Sequence, residues 1–135
     1  MDDLVQWLRA QLDEDERIAR AVPGPAWEHR QIRGDFDESV VFEDYIAVAD
    51  PERNVVVFSD VSTEEAAFAL RLDPARVLRE IDAKSRIVRL HARAHHQCVA
   101  EDGPTQWHAT DPCATLRLLA LPYADRPGYR EAWRP

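Results

Sequence analysis

The feature that most constrains this chain is a long helical pattern opening at Asp73-Pro74, followed by a loop crowded with histidine and cysteine. An aspartate there can accept a hydrogen bond from the first-turn amides, and a proline at the first helical position has no amide to leave unpaired. Val77, Leu78, Ile81, Val88 and the Leu90/His91 step then recur three and four residues apart, so they share one face. The pattern predicts a helix over 74–95 that ends near His95-His96.

Elements that can cover this rod are written on both sides of it. Leu4, Val5, Leu8, Leu12, Ala19 and Val22 trace an apolar stripe for a first helix from about Leu4 to Ala21, with Asp2 or Asp3 as cap. Asp13–Arg17 and Glu16–Arg20 are acid-before-base pairs four apart that support it. Pro23-Gly24-Pro25 stops the helix, and Trp27 follows as a core anchor whose indole N–H needs an acceptor if buried. A short strand is expected around Glu28–Ile32, with a turn at Gly34. Val40 to Ala49 reads as a strand whose alternation is broken by Asp44, and the Asp50–Asn54 segment carries turn chemistry. Val55 to Phe58 is apolar on both faces and is expected to be buried on both. The resulting hairpin needs helices over it, because two strands alone are marginal in water.

Ser62 with Glu65 has the spacing of a capping box, opening a short helix to about Leu72. The Asp-Pro device recurs at Asp111-Pro112 and predicts a helix through Leu121 with Cys113 in its first turn. Leu116, Leu119 and Ala120 face its core side, and Leu118 and Leu121 widen the stripe. Tyr123, Tyr129 and Trp133 are expected to anchor the tail by their rings. Together these elements predict an α+β fold: three to five helices around a long central helix, packed on a small antiparallel hairpin or three-stranded sheet. At 135 residues a single domain over 1–135 is expected.

Composition narrows the function classes. No apolar run approaches the roughly 18 residues of a membrane helix, and the acidic start Met1-Asp2-Asp3 lacks the basic character of a secretory signal. Two cysteines cannot make a disulfide framework, although one Cys98–Cys113 bridge can be drawn, so a cytoplasmic setting is expected. The formal charge of −8 repels nucleic acid and anionic lipid on average. Against that average, residues 76–93 carry six Lys or Arg and only Glu80 and Asp82 as acids. Arg79, Arg86 and Arg93 repeat every seven residues along this basic face, while residues 13–16 are all acidic.

Chemistry gathers in one place. Four of the five histidines and both cysteines fall between His91 and Cys113. Imidazole and thiolate are the donor types that hold zinc tetrahedrally, often from a helix end and a nearby loop. His91 and His95 are four apart and share a helical face, Cys98 follows, and Cys113 sits near a helix start that favours a thiolate. A site from His91 or His95 with Cys98, His108 and Cys113 can be built. The plainer alternative is a buried cysteine acting as a small hydrophobe and histidines complementing a helix C-terminus. No phosphate-cradling glycine loop, Gly-x-Ser-x-Gly elbow or His-Glu-x-x-His helix is present.

Three stretches carry a family likeness: Asp3-Leu4-Val5-x-Trp7-Leu8, Asp73-Pro74-Ala75-Arg76-Val77-Leu78, and Cys113-x-Thr115-Leu116-Arg117 through Leu121-Pro122-Tyr123-Ala124-Asp125. They resemble a family of small actinobacterial and actinophage proteins catalogued as a domain of unknown function. The resemblance implies a histidine after the Ile-Val-x-Leu step, a Cys-x-x-Cys pair, and a cysteine before Thr-Leu-Arg. On this chain those positions are His91, Cys98 and Cys113, with Glu101 standing where the second cysteine of the pair would be. It therefore implies a structural zinc (Zn2+) site whose fourth ligand is Glu101, His95 or His108, and it implies no catalytic residue. The expected function is a non-enzymatic accessory or interaction protein with a protein partner. The alternatives are a nucleic-acid-associated regulator using the basic face of helix 74–95, and a cysteine-dependent enzyme.

Overall fold

A computed structural model describes residues 2–36, 39–93, 98–100, 103–105 and 112–135, with backbone alone for Phe36, 98–100 and 103–105. In chain order the first elements are α1 (Asp2–Ala21), β1 (Trp27–Phe36), β2 (Ser39–Val48), β3 (Val56–Ser59) and α2 (Thr63–Leu70). They are followed by α3 (Pro74–His91), β4 (Cys98–Ala100), β5 (Gly103–Thr105) and α4 (Ala114–Ala120), with 3-10 turns at Leu121–Tyr123 and Glu131–Trp133. The fold is α+β. The described chain groups into two compact units, residues 1–15 with 80–135 and residues 16–79, and α1 and α3 each give residues to both.

The first unit is helical. Leu4, Val5, Leu8 and Leu12 of α1 are buried, as their spacing requires, together with Ile81 and Val88 of α3 and Leu116 and Ala120 of α4. The tail anchors behave as expected. Trp7 meets Tyr123, Tyr129 and Trp133 with ring centroids 6.5, 5.7 and 5.4 Å away, and its indole N–H donates to the Pro127 carbonyl at 3.0 Å. Arg126 lies over the Tyr123 ring at 4.7 Å and pairs with Asp15 at 2.7 Å. Burial, with the Asp15 charge second, pushes the Tyr123 hydroxyl above its ordinary pKa and keeps it neutral.

The second unit holds a three-stranded antiparallel sheet in the order β1-β2-β3. β1 and β2 pair over their full lengths, from Trp27 opposite Val48 to Phe36 opposite Ser39. β3 reaches only Tyr45, Ile46 and Ala47, with an irregularity between the last two. These three β2 residues are the buried part of the sheet, and α2 lies against β1 and β2. The caps form as their sequences require: Glu65 N–H donates to Ser62 Oγ (3.1 Å), Ser62 N–H to Glu65 Oε2 (2.7 Å), and Arg76 N–H to Asp73 Oδ1 (2.8 Å). Trp27 donates its indole N–H to the Pro23 carbonyl at 3.0 Å.

Several expectations are corrected. β1 runs ten residues and takes in Gly34, opposite Val41, where a turn was expected. Val55, Val56 and Phe58 are 37%, 47% and 48% exposed, not buried, because β3 is a short edge strand. Trp27, edge-on to Phe58 at 5.6 Å, is its one ring neighbour among the described residues. α3 ends at His91, four residues before the predicted end, since its inward face closes at Val88 and Leu90 already points to solvent. Cys113 is the N-cap of α4 and not a first-turn residue. Leu118 and Leu121 are 57% and 41% exposed, because a seven-residue helix turned at Leu121-Pro122 presents only Leu116 and Ala120 inward. No helix is long and apolar enough to cross a membrane among the described residues.

Candidate metal centre

His91 is the last residue of α3 and Cys113 caps α4, so two helix ends supply the two described donors. Cys113 is fully buried, and its Sγ stands 3.5 Å from His91 Nδ1. Twenty-two residues separate them in the chain, so tertiary packing brings them together. β4, which begins at Cys98, lies against α4 and pairs with β5 from Cys98 opposite Thr105 to Ala100 opposite Gly103. The strand that begins at Cys98 therefore lies beside the helix that Cys113 caps.

The donor spacing can be tested against zinc. With Zn–S about 2.3 Å and Zn–N about 2.0–2.1 Å, two tetrahedral ligands stand about 3.5–3.6 Å apart. The observed 3.5 Å matches that edge, and the residue types are right. The same contact also suits an S–H···N hydrogen bond between a neutral thiol and an imidazole acceptor. Among the described residues no group of three or more His, Cys, Asp or Glu converges on one point. The Cys98 side chain, Glu101, His95 and His108 lie outside what is described.

A second polar cluster, on the sheet, escaped the sequence reading. His29 Nε2 sits 2.7 Å from Asp44 Oδ1. Gln31, directly opposite Asp44 in the register, also hydrogen-bonds it. These bonds, Gln31 first and His29 second, hold the Asp44 carboxyl below the usual carboxylate range. The available signal was Asp44 itself, an acid interrupting an apolar alternation, which calls for a polar partner on the neighbouring strand. Among the described residues no hydroxyl or thiol hydrogen-bonds His29.

Two clefts flank Pro23-Gly24-Pro25, of about 350 and 530 Å3. Neither contains a histidine or cysteine. On α3, Arg79, Arg86 and Arg89 are exposed, as is Arg93 just past its end, and Arg86 pairs with Asp82 at 2.9 Å.

With the helices, the sheet and the donor pair in place, the class is a small α+β chain with a His–Cys pair at two helix ends. The chain belongs to the family of unknown function DUF6221, whose model matches residues 1–135. No curated protein and no solved structure matches it.

Proposed function

We propose that the protein is a non-enzymatic accessory or interaction protein whose helical unit is fastened by a structural zinc ion. The observation carrying this reading is the 3.5 Å approach of Cys113 Sγ to His91 Nδ1 from separate helices. His91, Cys98 and Cys113 would hold the metal, with His95, His108 or Glu101 as fourth ligand. Such an ion supplies cohesion and no chemistry: four protein ligands close the site to substrate. It would join the C-terminal end of α3, the N-terminal end of α4 and the start of β4. The cysteine-dependent enzyme is disfavoured at Cys113, because a fully buried thiol cannot reach a substrate.

The test is elemental analysis of untagged protein, with thermal melts before and after chelation. About one equivalent of zinc is expected, and a melting point lowered by on the order of 10 °C once the metal is gone, because binding energy is folding energy. His91→Ala and Cys113→Ser should each lose the metal, and chelation should then change their melts little. Metal-free protein with an unchanged melt would leave the His91–Cys113 contact as a hydrogen bond. A duplex-DNA titration separates the nucleic-acid alternative. Binding that weakens with salt and with Arg89→Ala would move the function to α3.

A further inference from the structure

β2 pairs with β1 along its whole length, but β3 covers only Tyr45 to Ala47 on its other side. The Asp44 carbonyl is taken by the Val61 amide at 3.3 Å. From Ser39 to Glu43 the outer edge of β2 has no strand beside it and no backbone partner among the described residues. Val40, Val41 and Phe42 on that edge are 48%, 41% and 58% exposed.

Proteins ordinarily blunt such an edge with lysine, proline, a bulge or an inward charge. The outer strand β1 is protected this way, carrying His29, Arg30, Arg33 and Asp35. The Ser39-Val40-Val41-Phe42-Glu43 segment carries one charge, Glu43 at its end, has no lysine or proline, and is rich in strand-forming residues.

The segment is also self-complementary. Laid antiparallel on a second copy about a two-fold axis at Val41, it sets Val41 opposite Val41, Val40 opposite Phe42, and Ser39 opposite Glu43. Within these five residues each apolar residue meets an apolar one, the aromatic meets a β-branched side chain, and no like charges face each other. Sliding the axis to Phe42 would put Val41 against Glu43 and Val40 against Asp44. Sliding it to Val40 would put Ser39 against Val41. One register is favoured, and it has the closed two-fold symmetry commonest among homo-oligomers.

We propose that this edge of β2 is a self-association site at which two copies of the chain join their three-stranded sheets into one six-stranded antiparallel sheet. Five residues of edge make an interface well below the roughly 800 Å2 per partner of a stable dimer, so the association is concentration-dependent. A charge of −8 on each copy opposes it, so screening salt strengthens it, whereas salt would weaken an ion-paired interface.

Sedimentation of the full chain tests this. A monomer–dimer equilibrium is expected that shifts towards dimer as salt rises and is insensitive to chelation. Val41→Lys, at an exposed position, should weaken it at least tenfold without altering the melt of dilute protein. Val41→Cys gives the register-specific test. Directly opposed strand residues stand about 4.5–5.5 Å apart at Cα, within disulfide range, so oxidation should link residue 41 to residue 41. Cysteine at position 40 should not link to itself. A chain that stays monomeric at high concentration and high salt would overturn the proposal. So would a dimer indifferent to Val41→Lys, or linkage at 40 as readily as at 41.

Discussion

The two units solve the burial problem differently. Among the described residues thirteen large hydrophobics are left exposed, of which Leu90, Leu118 and Leu121 belong to the helical unit and the other ten lie within residues 16–79. The helical unit buries Leu4, Leu8, Leu116 and Val88 almost completely and closes Trp7 into a cluster with three more rings. The sheet unit buries Ile46 and Ala47 near the C-terminal end of β2, yet leaves both neighbours of Val41 in solvent. A helix with one apolar stripe is satisfied by one packing surface. A strand with apolar residues on both faces needs two surfaces and a neighbour on each edge, and β2 before Asp44 has only β1 among the described residues. Apolar content in the first unit is therefore spent on stability, while in the second much of it remains available for contact.

The largest expected effect contrasts one leucine with one phenylalanine. Leu8 is 1% exposed and Phe42 is 58% exposed. Leu8→Ala should lower stability by about 2–5 kcal/mol, because transfer energy is lost and a cavity is left. Phe42→Ser should change it by no more than about 0.5 kcal/mol in dilute protein, as a surface substitution does. Urea denaturation of both variants checks this. Equal losses would break the contrast, and would mean that the outer half of β2 is as well packed as α1.

A narrower contrast uses Gly24 and Gly128, the two positive-φ glycines among the described residues, one in each unit. Gly24 (φ +68) would drive a Cβ into Val48 Cγ1 and place it 2.9 Å from Cγ2. The cost of Gly24→Ala should be roughly 2–4 kcal/mol, since left-handed backbone strain and overpacking against a stiff β-branched side chain add. Gly128 (φ +85) would place its Cβ 3.0 Å from Trp7 Nε1, on a ring held by the Pro127 carbonyl. Gly128→Ala should cost less, roughly 1–2 kcal/mol, mostly for the backbone. Melting curves of the two variants rank them. The reverse order would show that the Trp7 cluster yields less readily than the β2 end.

These contrasts also mark what sequence could and could not disclose. Ser62 with Glu65 and Asp73 with Pro74 were readable because a cap is a local bargain between a side chain and amides two or three residues away. The α1 stripe was readable because its period is long and regular. β1 was cut short because His29, Arg30, Gln31 and Arg33 hide a strand whose only evidence is its partner. Val55 to Phe58 misled for the opposite reason: a run of apolar residues says that a strand can be covered, not that anything covers it. β4 and β5, three residues each, are too short to show a period. In the candidate centre, donor chemistry and family likeness singled out His91 and Cys113, which the fold brings together. They could not find His29 with Asp44, because that pairing depends on a cross-strand register that polar residues do not announce.

The smallest expected effect, and the most specific to the sheet, is its acid response. Gln31 and His29 favour the ionised Asp44 carboxyl, so its pKa is lower in the folded chain than in the unfolded one. The unfolded chain then binds the extra proton at intermediate pH, and stability falls as pH falls. The contribution is complete above the ordinary aspartate value of about 3.9 and is lost as pH drops through the lower folded value. Asp44→Asn removes this response while keeping a side chain of the same size. The variant should therefore differ most from the parent near neutrality and approach it below the ordinary carboxylate range. Leu8→Ala, which touches no titrating group, should instead lie parallel to the parent across the same window. Urea midpoints measured from pH 6 down to pH 2 distinguish the two shapes. An Asp44→Asn curve parallel to the parent throughout would mean that Gln31 and His29 hold the carboxyl no more tightly than water does.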